Sequence, residues 1–361
     1  MLDLDIKHNA GALDLDMRFR TGGGITALFG PSGAGKTTLI NAISGLLRPD
    51  TGQIRIGGQV LFDSTTGRFI PPERRRIGYV FQDPRLFPHL NVRRNLTYGA
   101  RFAPKGATGP DFDQVTELLG ITKLLDRRTA DLSGGEKSRI AIGRALLAKP
   151  QLLLMDEPLA ALDAPRRGEI LPFLERVRDM GVPIIYVSHA MAEVARLADT
   201  VVLIKDGKVR ATGTVSDLLS DPDLADFFGG SEAGAVIHAT VSGQDADGMT
   251  RAHTSGGPVF LSEPHERGRQ LRLRVQASDV IVSRDLPTGL SALNILHGRI
   301  TRITPCPGIG PDRAWVQIDI GGEAVLAHVT QRSVGALDLQ NGTECYAILK
   351  TVAVERSAAP Q

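Results

Sequence analysis

The chain has 361 residues, of which 42 % are hydrophobic and 23 % are charged. A chain of this length and composition can form two or three packed domains, and it is neither a disordered segment nor a fibrous repeat. Lys and Arg number 42 against 40 for Asp and Glu, a net charge of +2. This balance excludes a general binder of nucleic acids or of anionic lipid surfaces, and we expect no nucleic-acid partner.

The cysteines and the apolar runs bear on the cellular compartment. Cys306 and Cys345 are the two cysteines, too few for a disulfide framework or a four-ligand zinc site, so we expect a reducing compartment. The start of the chain does not have the basic and apolar pattern of a signal peptide. No apolar run reaches the about 18 residues of a membrane-spanning helix. We predict a cytosolic chain that does not itself cross a membrane.

The first 230 residues alternate between apolar runs of strand length and stretches with helical spacing, which predicts a sheet with parallel strands. The spacing after Gly30 predicts a helix over 36–47. Between residues 82 and 150 the pattern changes to helices and polar turns, which predicts a helical subdomain inserted into the sheet domain. The predicted strands are 25–29, 77–81, 152–155, 184–187 and 201–204.

The pattern breaks at Gly229 and Gly230, and short alternating segments separated by Gly and Pro follow. Such segments are typical of a small β-barrel or sandwich. We predict a first domain over 1–229, a linker with the first β segments over 230–288, and a small β-domain over 289–354. The predicted strands are 270–276, 280–283, 315–320, 324–329 and 345–352.

Residues 30–37 fit the pattern G-x-x-x-x-G-K-[ST] between a predicted strand and a predicted helix, the context that a phosphate-binding loop requires. Glycines let backbone N–H groups surround phosphate oxygens, and the helix directs its positive end at the same anion. Lys36 is expected to reach the β- and γ-phosphates, and the Thr37 hydroxyl to ligate Mg²⁺. The predicted ATP contacts are Gly30, Pro31, Ser32, Gly33, Ala34, Gly35, Lys36, Thr37 and Thr38.

An apolar strand over 152–155 ends in two carboxylates, Asp156 and Glu157. Asp156 is placed to hold Mg²⁺ through its water shell, which leaves Glu157 free to orient or deprotonate an attacking water. Many strands end in an acidic turn, but the phosphate loop on the same predicted sheet favours the catalytic interpretation.

Ser133, Gly134, Gly135 and Glu136 precede a strongly helical stretch. Ser133 and Glu136 have the spacing of a capping box, which is a sufficient structural explanation. Two glycines at a helix start also expose N–H donors to a phosphate. The chemistry of these residues leaves both interpretations open.

Gln82 and His189 each follow an apolar strand, as Asp156 does. Ligands of open α/β sheets bind at the carboxyl ends of the strands. We therefore predict that Gln82 contacts Mg²⁺ or the attacking water, and that His189 forms a hydrogen bond with the γ-phosphate.

Taken together, these motifs resemble the ATPase subunit of an ABC transporter over about residues 1–230. The resemblance implies an α/β P-loop NTPase fold with an inserted helical subdomain, and ATP and Mg²⁺ as ligands. It matches the Q-loop at Gln82, the signature at 132–136, the catalytic glutamate at Glu157, the D-loop at 161–163 with Asp163, and the switch histidine at His189.

The same resemblance also implies which subunits the chain assembles with. In the family, the signature of one subunit covers the ATP held by the phosphate loop of the other, so Ser133, Gly134 and Gly135 would act in trans in a homodimer. Gln82 and the segment after it, with Leu86 and Phe87, would couple hydrolysis to membrane subunits. Two transmembrane permease subunits and an extracytoplasmic binding protein would complete the transporter, with this chain peripheral on the cytoplasmic face of the inner membrane.

Two positions depart from the usual family pattern. Members usually carry an aromatic side chain about two dozen residues before the phosphate loop, where it stacks on adenine. Residues 6–13 offer only His8 in that place. The residue after the signature is Lys137, where glutamine or arginine is more usual.

Within this family, the segments 23–30, 78–89 and 133–146 are similar to the ATP-binding subunits of molybdate importers. The segments 291–298, 315–320 and 347–350 are similar to the Mop or TOBE type of small, OB-like β-domain over 289–354. In such domains oxyanions meet backbone N–H groups, small polar side chains and a lysine. The matching positions are Ser291, Asn294 and Lys350, the last being the single lysine after residue 230.

Other functions stay open for these features. The β-domain could instead support dimerisation or dock a partner. The cargo could be molybdate or tungstate, or else sulfate, thiosulfate, a polyamine or ferric iron. A soluble ABC ATPase that acts on DNA or ribosomes is disfavoured by the single phosphate loop, the absence of a long heptad run and the balanced charge.

Overall fold

The computed structural model describes residues 1–11, 13–101, 103, 106–230, 232–306 and 312–350, together with the backbone of 355–358. The chain divides into two compact units, Met1–Gly213 and Thr214–Gln361. Among the described residues, no helix has both the length and the apolar character needed to span a bilayer.

The first unit contains one sheet of 11 strands. The apolar runs at 25–29, 152–156, 184–187 and 200–205 form strands that are buried on both faces, as expected for parallel strands covered by helices. In chain order the strands are β1 (Leu2–Asn9), β2 (Asp14–Thr21), β3 (Ile25–Phe29), β4 (Thr51–Ile56), β5 (Gln59–Asp63), β6 (Arg68–Phe69), β7 (Ile77–Val80), β8 (Leu152–Asp156), β9 (Ile184–Val187), β10 (Thr200–Lys205) and β11 (Lys208–Thr214).

Half of this sheet confirms the predicted parallel arrangement. Strands β10, β3, β9, β8 and β7 are adjacent in that order, and each pair is parallel. Their carboxyl ends therefore lie at one edge of the sheet, which is where ligands of such sheets bind.

The other half corrects the prediction. Strands β1, β2, β4, β5 and β6 pair in antiparallel fashion. These strands were missed because only alternate residues face the core: Leu2, Leu4 and Ile6 are buried, and charged residues lie between them. A half-exposed strand of this kind has too few apolar residues to form a continuous run.

Six α-helices accompany the sheet of the first unit in the described part of the chain. The first ends at Ser44 rather than at the predicted residue 47, because Gly45 adopts φ 88° and its N–H bonds back to the carbonyl of Asn41, as in a left-handed helix cap. The helices are α1 (Lys36–Ser44), α2 (Val92–Ala100), α3 (Phe112–Leu118), α4 (Gly134–Leu147), α5 (Ala164–Asp179) and α6 (Met191–Leu197).

Helices α2, α3 and α4 lie within the predicted helical segment 82–150. Helix α2 approaches α4 closely because both carry a glycine at the contact. A Cβ on Gly99 would lie 2.3 Å from the carbonyl oxygen of Arg144, and one on Gly143 would lie 2.8 Å from Leu96. Larger residues at either glycine would push the two helices apart.

Among its described residues, the second unit contains two five-stranded sheets, ordered β14-β13-β12-β15-β21 and β16-β20-β17-β18-β19. Its strands are β12 (Gly234–Gln244), β13 (Thr250–Thr254), β14 (Gly257–Leu261), β15 (Gln270–Gln276), β16 (Val280–Ser283), β17 (Asn294–Pro305), β18 (Arg313–Asp319), β19 (Ala324–Thr330), β20 (Glu344–Leu349) and β21 (Glu355–Ala358). Helices α7 (Val215–Leu219) and α8 (Gln331–Ala336) complete the unit.

The two sheets share one apolar core, to which β12 contributes Ile237, β15 Leu273, β17 Leu296 and β18 Val316. The first β segments predicted within residues 230–288 are therefore present as β12 to β16, and they share one core with the strands of the predicted β-domain. Residues 307–311 and 351–354 of the predicted β-domain lie outside the described residues.

The unit boundary falls at Gly213, before the expected residue 229. The intervening segment is bonded to the β-strands. The Ser216 hydroxyl donates to the carbonyl of Val236 over 2.8 Å, and the Gln317 amide donates to the carbonyl of Ser220 over 2.9 Å. These contacts tie helix α7 and the residues after it to the second unit.

Candidate nucleotide-binding and catalytic site

The phosphate loop connects β3 to α1, as predicted. Gly30 lies so close to β10 that a Cβ there would be 2.0 Å from the carbonyl oxygen of Ile204. Gly33 and Gly35 adopt φ values of 78° and 99°, in the left-handed region that favours glycine. These positions explain why the loop needs glycine at fixed spacing.

Lys36 lies over its own loop and is almost fully buried. Its ammonium group donates to the carbonyl of Gly30 over 2.8 Å and to that of Pro31 over 2.9 Å. Burial lowers the pKa of Lys36, and the nearby carboxylates of Glu157 and Asp156 partly counteract this. The amino group of Lys36 therefore lies against the backbone of the loop, an arrangement suited to binding a phosphate.

Asp156 ends β8 beneath the phosphate loop. Burial and the neighbouring Glu157 raise the pKa of Asp156, whereas hydrogen bonds from Tyr79 and Thr37 and the charge of Lys36 lower it. The Tyr79 hydroxyl lies 3.4 Å from the Asp156 carboxylate. The pair of Thr37 hydroxyl and Asp156 carboxylate is an oxygen donor set of the kind that Mg²⁺ prefers.

Glu157 follows β8 in a left-handed conformation, with φ 47°. Its N–H donates to the carbonyl of Val187 over 3.0 Å, which ties it to β9. Its carboxylate forms an ion pair with Nε2 of His189 and lies 3.5 Å from the amide nitrogen of Gln82. The structure thus brings together the three polar residues that were predicted at three different strand ends.

A cavity of about 170 Å³ joins the phosphate loop to this cluster. Glu157 and His189 lie on one side of the cavity and the loop on the other. The remaining lining residues are Leu13, Ser32, Gly33, Gly35, Lys36, Thr37 and Thr38. His8, the aromatic residue noted in the sequence, is instead 3.3 Å from the carboxylate of Asp50.

Ser133 is the N-cap of α4, and both hydrogen bonds of the predicted capping box are present. The Ser133 N–H donates to Glu136 over 2.7 Å, and the Glu136 N–H donates to the Ser133 hydroxyl over 3.3 Å. Ser133 and Gly134 are exposed, and Gly135 is buried. In the part of the chain that the structure describes, none of the three lines the cavity of the phosphate loop.

Asp163 is the N-cap of α5, where its carboxylate accepts from the N–H of Arg166 over 3.0 Å. This hydrogen bond explains the residue type by helix capping. Asp163 is exposed, as are Ser133 and Gly134.

The segment after Gln82 is fixed by two residues that the sequence analysis missed. Arg144 of α4 donates to the carbonyl of Pro84 over 3.1 Å and to that of Arg85 over 2.9 Å. Buried Asn95 of α2 accepts from the N–H of Phe87 over 2.8 Å and donates to its carbonyl over 3.1 Å. A polar residue on the apolar face of a helix was the available signal for Asn95. Leu86 and Phe87 stay partly exposed.

The predicted oxyanion residues of the second unit lie at one end of β17 and β20. Ser291 and Lys350 are exposed, and Lys350 follows Leu349, whose backbone pairs with that of Asn294. Asn294 itself is fully buried, and its side chain accepts from the N–H of Phe260 over 2.7 Å and donates to the Phe260 carbonyl over 3.3 Å. The amide of Asn294 is thereby committed to joining β17 to β14, which argues against its predicted contact with an oxyanion.

Comparison with known families agrees with both units. A family model for ABC transporters matches residues 14–160, and a model for the TOBE domain matches residues 290–355. The solved structure of cbiO1 from Clostridium perfringens, part of the ABC transporter complex cbiONQ, is similar with a TM-score of 0.50 and 28 % identity. The match covers 62 % of this chain and 92 % of that chain.

Full-length relatives are more similar still. The molybdenum import ATP-binding protein ModC of Rhizobium etli is 51 % identical, over 98 % of this chain and 99 % of that protein. The protein of the same name from Mesorhizobium japonicum is 50 % identical, over 98 % and 96 %. That from Paramagnetospirillum magneticum is 46 % identical, over 99 % and 98 %.

The phosphate loop, the carboxylates at the end of β8 and these matches define an ABC-type ATPase, a class of protein that binds ATP. Within that class, the chain belongs to the family of molybdenum import ATP-binding proteins.

Proposed function

We propose that the chain hydrolyses ATP at the edge of the sheet where β3, β8 and β9 end, and that this hydrolysis drives the import of molybdate or tungstate. The observation that carries the proposal is the cavity that joins the phosphate loop to Glu157 and His189. The cavity lies between the phosphate loop and a carboxylate paired with an imidazole, which supports in-line attack by water on a γ-phosphate bound there.

Lys36 and the loop N–H groups bind the phosphates in this proposal. Lys36 exchanges its contacts with the carbonyls of Gly30 and Pro31 for contacts with phosphate oxygens, which accept from the same donor group. Thr37 and Asp156 would hold Mg²⁺, with Gln82 as a further donor. When bound, the ion neutralises phosphate charge. Burial and, after it, the charge of Glu157 raise the pKa of Asp156, which supports this assignment, because a bound cation would stabilise the carboxylate charge that burial disfavours.

Glu157 orients and deprotonates the attacking water, and His189 holds Glu157 in place and reaches the γ-phosphate. Their ion pair and the bond from Glu157 N–H to Val187 support these roles. A positioned general base accounts for about 10²–10⁴-fold in rate.

The working unit is a homodimer in which Ser133, Gly134 and Gly135 of one subunit cover the ATP of the other. The exposed start of α4 supports this role, as does its absence from the cavity of its own phosphate loop among the described residues. Asp163, exposed at the start of α5, is proposed to lie at the same contact between subunits.

The transporter would contain two permease subunits and an extracytoplasmic binding protein, with this chain on the cytoplasmic face of the inner membrane. The relatives named as molybdenum import proteins support this cargo. We expect vesicles that contain the complete complex to take up molybdate when ATP is supplied, and the Lys36→Ala variant to abolish uptake. Uptake of sulfate in preference to molybdate would contradict molybdate as the cargo. Loss of that uptake in Lys36→Ala would still support the proposal that ATP hydrolysis by this chain drives transport.

Docking to the permease is proposed at Leu86, which Arg144 and Asn95 hold at the surface together with its neighbours. We expect Leu86→Glu to reduce co-purification with the permease subunits at least about tenfold, because a buried unpaired carboxylate costs more than the about 1.4 kcal/mol that a tenfold change requires. Leu46→Glu is the matched control, since Leu46 is exposed elsewhere on the same unit. Equal recovery of both variants would refute docking at Leu86.

Oxyanion binding by the second unit is proposed at Ser291 and Lys350, without Asn294. Titration of the full-length chain with molybdate and tungstate should give heat, while phosphate should give none. Lys350→Ala should weaken binding at least about tenfold because it removes a charge-assisted contact. Arg332→Ala, which removes another exposed cation of this unit, should leave the affinity unchanged. If no oxyanion gives heat, the second unit does not bind one.

A further inference from the structure

A buried carboxylate, Glu193, lies in α6 behind the switch histidine and has no role in the mechanism above. It is 6 % exposed, and a carboxylate at this depth requires partners to offset its loss of hydration. Its Oε2 accepts from the hydroxyl of Tyr186 and from that of Ser188, each over 2.7 Å. The position of Glu193 is therefore set by the end of β9.

Ser188 closes the turn that carries His189. Its hydroxyl donates to Glu193 and accepts from the N–H of Ala190 over 3.0 Å. The two hydrogen bonds bridge His189 on both sides, so that its backbone is held between Ser188 and the first residues of α6. The imidazole then extends to Glu157, with which it forms the ion pair already described.

The other oxygen of Glu193 is 3.8 Å from the guanidinium of Arg167, and Arg167 also donates to the carbonyl of Leu162 over 2.8 Å. Arg167 and Glu193 both line a cavity of about 260 Å³ that also reaches Glu157 and His189. Burial and the Glu193 carboxylate raise the pKa of Tyr186, so the phenol stays protonated and donates. Both carboxylate oxygens of Glu193 thus have partners.

We propose that Glu193 is a positioning residue, which holds His189 against Glu157 through the hydroxyl of Ser188. The inference rests on the proposed function, because it assigns Glu193 an effect only through His189. A shift of about 1 Å at a reacting group can cost about 100-fold in rate. Loss of the Ser188 hydroxyl removes both hydrogen bonds that hold the turn at His189 and leaves the residues of the phosphate loop unchanged.

The test measures kcat for ATP hydrolysis and the Kd for ATP in the full-length chain. We expect Ser188→Ala to lower kcat about tenfold while the Kd for ATP changes less than about twofold, as a defect confined to positioning the reacting groups predicts. Ser188→Thr restores the hydroxyl and should restore kcat. Ser64→Ala is the matched control, since the Ser64 hydroxyl also accepts from a backbone N–H, that of Gly52, over 2.9 Å but lies outside the lining of both cavities, and it should leave kcat within about twofold.

Glu193 is tested by two substitutions. Glu193→Ala should lower kcat as Ser188→Ala does, and the double variant should be no slower than either single variant, because both act by one route. Glu193→Gln keeps an acceptor oxygen for Ser188 and should retain most of the rate. Glu193→Gln also loses the ion pair with Arg167, but this loss should affect kcat little, because the pair is long and partly exposed.

The background of His189→Ala separates this inference from the proposed function. In that background Ser188→Ala should cause no further loss of kcat, and a further tenfold loss would show that Ser188 does not act through His189. Equal kcat for Ser188→Ala and Ser64→Ala would also overturn the inference. If instead His189→Ala hydrolyses ATP at the wild-type rate, the proposed catalytic site itself fails.

Discussion

The Glu157→Gln variant should bind ATP at least as tightly as the wild-type chain and hydrolyse it at least about 100 times more slowly. The amide cannot take a proton from water, and it breaks the ion pair with His189. Removing the Glu157 charge also removes one cause of the raised pKa of Asp156. A site with one less negative charge repels the triphosphate less, so binding should not suffer.

The measurement pairs steady-state phosphate release with ATP binding in the same preparation. Glu169→Gln is the matched control, because Glu169 is an exposed glutamate of the same unit, and its substitution should change neither quantity. Unchanged phosphate release in Glu157→Gln would remove Glu157 from the catalytic role. Loss of ATP binding would show instead that its carboxylate supports the phosphate loop.

The Arg75→Ala variant should unfold about 8 °C below the wild-type chain, which corresponds to about 2–4 kcal/mol. Arg75 is 0 % exposed, and its guanidinium donates to the carbonyls of Ile70, Ala42 and Ile43 over 2.6, 2.8 and 2.8 Å. Burial lowers its pKa to about 10, so it stays charged at neutral pH. It binds the last carbonyls of α1, where the helix dipole favours a cation.

Thermal unfolding followed by far-ultraviolet circular dichroism measures this effect. Arg74→Ala removes an exposed arginine one residue earlier and should leave the unfolding temperature within about 1 °C. Arg75→Lys should recover only part of the loss, because one ammonium group cannot reach carbonyls on two sides as a guanidinium does. Equal unfolding temperatures for Arg74→Ala and Arg75→Ala would refute the role of Arg75 in holding α1.

The sequence predicted to the residue two strands that are buried on both faces, and it did the same for β15 and β16 of the second unit. The segments 25–29 and 184–187 coincide with β3 and β9, because an apolar run bounded by glycine or polar residues has one interpretation in an α/β pattern. Strands β1 and β4 pair with each other from positions about 50 residues apart. Nothing local to either strand specifies that partner, so the antiparallel half of the sheet was missed.

The residues of the site also divide into those that the sequence identifies and those that only the folded structure reveals. Phosphate chemistry requires glycine, lysine and threonine at fixed spacing, so the spacing of residues 30–37 is sufficient to assign them. Arg75, Asn95 and Glu193 could not be assigned in this way, because they bind backbone carbonyls or hydroxyls that only the folded chain brings to them. Asn294 is the opposite case, because the sequence assigned it to a ligand-binding motif, whereas in the structure its side chain is hydrogen-bonded to Phe260 of a neighbouring strand.

The shared core of the two five-stranded sheets bears on how chimaeras between relatives should be built. The segment that matches the TOBE model begins at residue 290, yet Ile237 and Leu273 from before that point pack in one core with Leu296 and Val316. Exchange of that segment alone would pack core side chains from one parent protein against core side chains from the other. Because the two sets were not selected together, their shapes would fit less well and the chimaera would lose stability. A transplant cut at Gly213 keeps both halves from one parent, so evolution and protein engineering alike should exchange this part of the chain as a whole.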